Sequence, residues 1–191
     1  VWLVVVFTDQ SSGVTGCLSK LEYDFIPIDE YFWIRHLREM YEFIQAIFGE
    51  NAHYRSITFE EFCVDYGPAY GAKLCPNTSV LFRDKTNGQW AALSLCMPNY
   101  HELTDAQPAY RFDRDYEKLS RRTFLIKTVG VHPDYRQKHL MRYLAAYGML
   151  QFPRFYEDAI FCLIREDNVS NSFTARMNKE IVSYGLYACE L

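Results

Sequence analysis

The chain has six cysteines, Cys17, Cys63, Cys75, Cys96, Cys162 and Cys189, but no Cys-x-x-Cys pair. This leaves out the dithiol redox motif, and the cysteines read as reduced, buried thiols of a cytoplasmic protein rather than as a disulfide framework. The five histidines, His36, His53, His101, His132 and His139, show neither His-x-His nor His-x-x-x-His spacing, so no metal centre is expected. There is no Gly-x-Ser-x-Gly nucleophile elbow and no Gly-x-x-x-x-Gly-Lys-Ser/Thr phosphate loop. Basic residues are not in excess. The net charge is −4, which argues against a non-specific nucleic-acid binder. Long apolar runs are missing too. Val1–Phe7 is far too short to span a membrane and has no basic region before it. Asn77-Thr78-Ser79 and Asn168-Val169-Ser170 match the glycosylation triplet and, without a secretory signal, read as chance.

What is present fits one globular domain with a full core. The 191 residues are 49% hydrophobic and 23% charged, and 15 Tyr and 14 Phe favour a well-filled core or an aromatic-walled pocket. Val1–Thr8 and Val14–Lys20 read as a hairpin. The chain begins with Val, so residues 1–20 are expected to be the end of a preceding segment, with the domain proper at 21–191. Leu21–Ile28 reads as a strand. Asp29 is a plausible N-cap for a helix Glu30–Phe48, whose apolar residues follow the 3.6 period and read as core. Thr58-Phe59-Glu60-Glu61 fits a capping box, and Gly67-Pro68 stops or bends the helix after it. Thr78–Arg83 and Gln89–Cys96 flank Asp84-Lys85-Thr86-Asn87-Gly88, which signals a hairpin. Asn99–Arg122 is polar and reads as a long connection over a substrate entrance. The remainder alternates: strand Thr123–Val131, helix Lys138–Phe152, strand Ala159–Arg165, helix Ser170–Ile181, strand Tyr184–Cys189. Antiparallel elements followed by a βαβ run predict an α/β fold. Its central sheet is mixed, mostly antiparallel, and flanked by helices.

The most informative stretch is Thr123–Leu144, TFLIKTVGVHPDYRQKHLMRYL. An apolar strand breaks at Val131-His132-Pro133 and re-forms as a helix. The unpaired N–H groups at that helix mouth are a ready phosphate or pyrophosphate site, and Arg136 could add a fixed positive charge. The segment resembles the acyl-coenzyme A motif of GNAT-type N-acetyltransferases, roughly V-x-P-x-Y-R-G-x-G-I-G-x-x-L. Val131, Pro133, Tyr135, Arg136, Leu140 and Leu144 fall on that pattern, while Gln137, His139 and Met141 stand where it has glycine. The order of elements over about residues 21–191 is also similar to that family's fold.

The resemblance implies a set of sites. Val129, Gly130 and Val131 would lie on a strand that splays from its neighbour and holds the pantetheine arm with free backbone groups. One N–H there would polarise the thioester carbonyl. Arg136, Gln137, Lys138, His139, Leu140 and Met141 would cradle the pyrophosphate. Asn168, at the end of a strand and the opening of a helix, would touch the cofactor arm. Each has a plainer structural reading: a buried strand with Gly130 at a bulge, a solvent-facing helix start, a helix cap at Asn168 or Ser170. Ala175 stands where the family often has a Tyr acid, and the strand lacks the Glu that often serves as base. Tyr184 and Tyr187 read as core. Glu166, His101 and His132 are possible bases, each more readily structural, so no catalytic residue is assigned. The implied activity is acetyl transfer from acetyl-CoA, as co-substrate, to a small-molecule or peptide amine. The alternative is a binding or regulatory module on the same fold that has lost catalysis. Acceptor, acyl length and oligomeric state are not legible.

Overall fold

The computed structural model describes residues 2–7, 21–50, 54–103, 109–165 and 179–184; in 2–7, 162–165 and 179–184 it describes the backbone alone. The strands are β1 (Trp2–Phe7), β2 (Tyr23–Pro27), β3 (Val80–Asp84), β4 (Trp90–Pro98), β5 (Thr123–Val131), β6 (Asp158–Arg165) and β7 (Lys179–Tyr184). They form one sheet in the order β2-β3-β4-β5-β6-β1-β7. The β5–β6 pair is parallel and every other pair is antiparallel. This is the mixed, mostly antiparallel sheet that the pattern of elements predicts.

The helices follow local chemistry. Asp29 caps α1 (Glu30–Arg35) by accepting from the Phe32 N–H at 2.6 Å. The predicted single helix Glu30–Phe48 is in fact two. His36, at φ −112° and ψ 26°, breaks it, and α2 (Leu37–Phe48) follows. The His36 ring packs against Phe32 and Trp90 at the break. The capping box is present: Thr58 Oγ1 accepts from the Glu61 N–H at 3.2 Å, and the Glu61 carboxylate accepts from the Thr58 N–H at 2.8 Å. It opens α3 (Phe59–Tyr66). Gly67 is extended, and Pro68 starts the short α4 (Pro68–Gly71). A short α5 (Phe112–Asp115) and the long α6 (Leu140–Phe155) follow.

Helices α1–α4 cover one face of the sheet and α6 the other. On the first face Trp33, Met40, Phe43, Ile47 and Phe62 pack against Leu81, Leu93 and Leu95. Each such side chain contributes about 1.5–3 kcal/mol when fully buried. On the second face Leu140 and Leu144 of α6 pack against Val80, Phe82, Ala92 and Val131.

Three further expectations are corrected. β1 lies between β6 and β7, with Val5 opposite both Phe161 and Ile181. β6 and β7 therefore take both its edges; Val14–Lys20, its expected hairpin partner, lies outside the described residues. Lys179–Ile181, predicted as the last turn of a helix, are strand residues facing Phe7–Val5. Of the predicted strand Tyr184–Cys189 only Tyr184 is described, at the end of β7. Finally, the described residues of the Asn99–Arg122 connection lie at the paired end of β5 and β6 and not at the mouth of the β5–β6 cleft described below. They bury Tyr100, Asp115 and Tyr116 and are tied to the paired ends of those strands. Glu157 N–H donates to the Arg122 carbonyl at 2.8 Å, and Arg121 donates to Asp158 at 2.6 Å.

Candidate functional site

Strand β5 is apolar and rich in β-branched residues, which favours a pleated strand buried on both faces. Its alternation sends Ile126, Thr128 and Gly130 toward the α1–α4 layer, and Val129 and Val131 toward α6. Its pairing with β4 runs from Phe124 to Val131, with a register shift at Lys127: Leu95 faces Thr128 and Cys96 faces Ile126. Such a bulge bends and twists the strand. Its pairing with β6 is shorter. The parallel register runs from Thr123↔Asp158 to Ile126↔Phe161 and stops. Beyond that point β5 stays with β4, whereas β6 stays with β1 as far as Arg165↔Trp2. The sheet therefore divides into two wings at the β5–β6 seam. Alternate backbone N–H and C=O groups of Lys127–Val131 are left on an edge with no strand partner among the described residues.

The end of that edge runs into a tight turn. His132 N–H donates to the Ala91 carbonyl at 2.9 Å, and Pro133–Lys138 form a 3-10 helix. His139 then takes φ 56° and ψ 27°, the one non-glycine residue with positive φ among those described. A helical Lys138 followed by a left-handed His139 points successive N–H groups to one side, the arrangement that forms an anion-binding nest. Helix α6 starts immediately after, so its unpaired first-turn N–H groups and positive dipole end face the same place.

A cavity of about 340 Å³ lies on the α1–α4 side of β5. Leu95 and Thr128, opposite each other at the bulge, form part of its wall with Ile44 and Phe48 of α2. Phe62, Asp65 and Tyr66 of α3, with Tyr70 of α4, face them. The segment Tyr54–Ile57 closes one side. It is clamped to α2, because the Ile57 carbonyl accepts from Tyr41 Oη at 2.8 Å and from Gln45 Nε2 at 2.9 Å. Burial first, and then the neighbouring Tyr66, push the Tyr70 phenol well above its ordinary range, so it stays a neutral donor. Burial also raises Tyr54. The cavity thus abuts the first part of the unpaired edge, while the nest lies beyond its far end.

No family model matches this chain, and no curated protein matches it by sequence. Solved structures do. A GCN5-related N-acetyltransferase from Sphaerobacter thermophilus superposes with a TM-score of 0.59 at 13% identity, over 95% of this chain and 48% of that one. A GCN5-related glucosamine N-acetyltransferase region of a fungal multi-domain GH3 β-N-acetylglucosaminidase gives 0.58 at 15% identity, over 95% and 20%. A possible acetyltransferase from Clostridium difficile 630 gives 0.58 at 11% identity, over 90% and 99%. The chain has the GNAT fold. It spans about half the length of the first of these proteins and a fifth of the second.

Within that GNAT fold the residues singled out in the sequence fall as follows. Val129, Gly130 and Val131 lie on the unpaired part of β5. Gly130 is not at the bulge, which falls at Lys127. A Cβ on Gly130 would come within 2.4 Å of Ile47 Cγ2, so glycine there lets α2 lie directly on the strand. Gln137, Lys138 and His139 are exposed around the nest, and Leu140 and Met141 begin α6, with Leu140 buried in the core. Arg136 is engaged elsewhere. Its guanidinium donates to Glu50 at 2.6 Å and to the Ile47 carbonyl at 3.2 Å, holding the C-terminal end of α2. Tyr135 is core: it packs on Tyr23, and its hydroxyl is bonded to Asn87. His132 caps the 3-10 turn and stacks on Phe43, and His101 lies at the far end of β4. Asn168, Glu166, Ala175 and Tyr187 lie outside the described residues. Sequence reading missed the cavity. Thr128 and Leu95 read as ordinary strand residues, and Tyr66 and Tyr70 are brought together only by the bend at Gly67-Pro68.

Proposed function

We propose that the chain is an acyl-CoA-dependent N-acyltransferase that uses acetyl-CoA as co-substrate and a primary amine as acceptor. The observation that carries this reading is the end of β5–β6 pairing at Ile126↔Phe161, which leaves Lys127–Val131 an unpaired edge leading to the nest at His139. The donor set fits such a ligand. An extended arm containing amides can pair with a strand edge as an added strand would. A pyrophosphate suits a nest backed by a helix N-terminus. Lys138 adds positive charge beside it, and Arg136 serves the scaffold.

The chain's own chemistry is then chiefly positional. A backbone N–H of the Lys127–Val131 edge polarises the thioester carbonyl, and the cavity beside Thr128 holds the amine within reach of it. Preorganised donors and proximity supply most of the rate in this scheme. The C–N bond forms as the C–S bond breaks, and the thiolate takes up a proton. A cytoplasmic, reducing setting belongs to the same reading and is supported by the free thiols of Cys63, Cys75 and Cys96.

A second reading, a module that binds the acyl-CoA but does not turn it over, draws support from the committed Arg136 and the side chains of Gln137 and His139 at the nest. Calorimetric titration with acetyl-CoA, followed by thiol release with a panel of amines, separates the two. Saturable binding with release supports the enzyme, and binding without release supports the module. The absence of binding at millimolar acetyl-CoA overturns both.

A further inference from the structure

Resting on the acyltransferase reading, we infer that the acceptor is a small primary amine with an aryl or alkyl body, selected by the aromatic walls of the cavity and by the Asp65 carboxylate. The cavity opens to solvent, and its size sets how much of a ligand it can hold. About 340 Å³ equals about eleven water volumes at roughly 30 Å³ each, room for about ten non-hydrogen atoms. Its walls are mostly ring faces and edges, from Phe48, Tyr54, Phe62, Tyr66 and Tyr70. Such faces attract a desolvated cation and accept an apolar body.

The charges decide the sign of the ligand. Two charged residues line the cavity among those described, Arg55 and Asp65. The Arg55 guanidinium is paired with Glu61 at 3.1 Å. Asp65 has no ion-pair partner among the described residues. Among the described residues the lining therefore offers an unpaired anion, and its one cation is already paired. An acceptor carrying phosphate or carboxylate would meet the unpaired Asp65 and would reach a cation only by drawing Arg55 away from Glu61. A sugar amine would place several hydroxyls against apolar walls, where unpaired polar groups are costly. A cationic amine with an apolar body satisfies both the walls and the carboxylate. The acceptor enters as the ammonium ion and loses one proton to solvent before attack. The neutral nitrogen attacks the thioester carbon, the C–S bond breaks, and the second nitrogen proton passes to the thiolate. Ammonium and thioester thus give amide, thiol and one proton.

The test is calorimetric titration of the full chain with 2-phenylethylamine, 2-phenylethanol, glucosamine and glucosamine 6-phosphate, with acetyl-CoA titrated separately. 2-Phenylethylamine should bind at least tenfold more tightly than either sugar. Asp65→Asn should weaken it by about tenfold and leave 2-phenylethanol within twofold. The Asp65 side chain is exposed, so this variant should keep the natural melting temperature. Equal or tighter binding of a sugar would overturn the inference, as would no 2-phenylethylamine binding at millimolar concentration or no effect of Asp65→Asn. Acetyl-CoA binding without amine binding removes the acceptor class alone. Failure of acetyl-CoA to bind removes the underlying reading, and the inference with it.

Discussion

Gly130→Ala separates two reasons for a glycine on β5. The added Cβ would sit 2.4 Å from Ile47 Cγ2 and 2.9 Å from Ile47 Cδ1, well inside any real carbon–carbon contact. Ile47 is 7% exposed, and its carbonyl is held by Arg136, so it has little freedom to move aside. The helix must lift off the strand or Ile47 must leave its rotamer, and such overpacking costs about 1–3 kcal/mol. With a urea slope of about 2–3 kcal/mol/M, a loss of about 2 kcal/mol moves the unfolding midpoint down by roughly 0.7–1 M. Ile47→Ala alone should cost about 2–5 kcal/mol as a cavity. The double variant Gly130→Ala, Ile47→Ala should cost less than the sum, because the new methyl group occupies space vacated by Ile47. A coupling of about 0.5–3 kcal/mol is the usual range for residues in contact. Strictly additive costs would refute the packing argument. So would a Gly130→Ala protein of natural stability that has lost acetyl-CoA binding, since the glycine would then serve the ligand and not the helix.

Three further outcomes are expected. His139→Gly should relieve a left-handed strain of roughly 1–2 kcal/mol at a chain-entropy cost of about 0.5–1 kcal/mol; a small gain in melting temperature and tighter acetyl-CoA binding are predicted, and a clear loss of stability would contradict the nest geometry. Arg136→Ala should lower stability by about 0.5–1.5 kcal/mol, through the lost α2 contacts, and change acetyl-CoA affinity less than threefold; a tenfold loss of affinity at unchanged stability would place Arg136 on the ligand instead. Asp115 is held below the usual carboxylate range first by Arg114 at 2.6 Å, with Lys118 at 2.9 Å adding to it. A depressed pKa stabilises the fold above the unfolded-state value and is lost as pH falls toward the folded one. Urea unfolding should therefore show Asp115→Asn less stable than the natural chain at pH 7, with the gap narrowing below about pH 4.

Much of the fold was legible because local chemistry and long-range packing agree. Asp29, the Thr58–Glu61 box and the Asp84–Gly88 turn each act over three or four residues, and each stands where the sequence puts it. Helix-period residues such as Met40 and Ile47 are core because the sheet needs cover. What was not legible depends on distant partners. The slot taken by β1 exists only once β6 and β7 are placed. The break at His36 leaves the helical period almost unchanged, so periodicity alone reads through it. Arg136 looks like a phosphate ligand until α2 is seen ending beside it. The left-handed His139 occupies a glycine position of the resembled motif, so the motif predicts the backbone there better than the side chain. The cavity draws on the segment 54–57 and five separate elements, which no spacing rule connects.

Hydrogen exchange read residue by residue, with and without acetyl-CoA, tests the central claim most directly. In the free protein, amides on the unpaired edge of Lys127–Val131 should exchange far faster than those paired with β4. Saturating acetyl-CoA should slow that fast subset together with the amides of His139–Met141, and leave β2 and β3 unchanged. Unaltered exchange across Lys127–Val131 at saturating acetyl-CoA would contradict the account, because the free strand edge would then not be where the thioester binds.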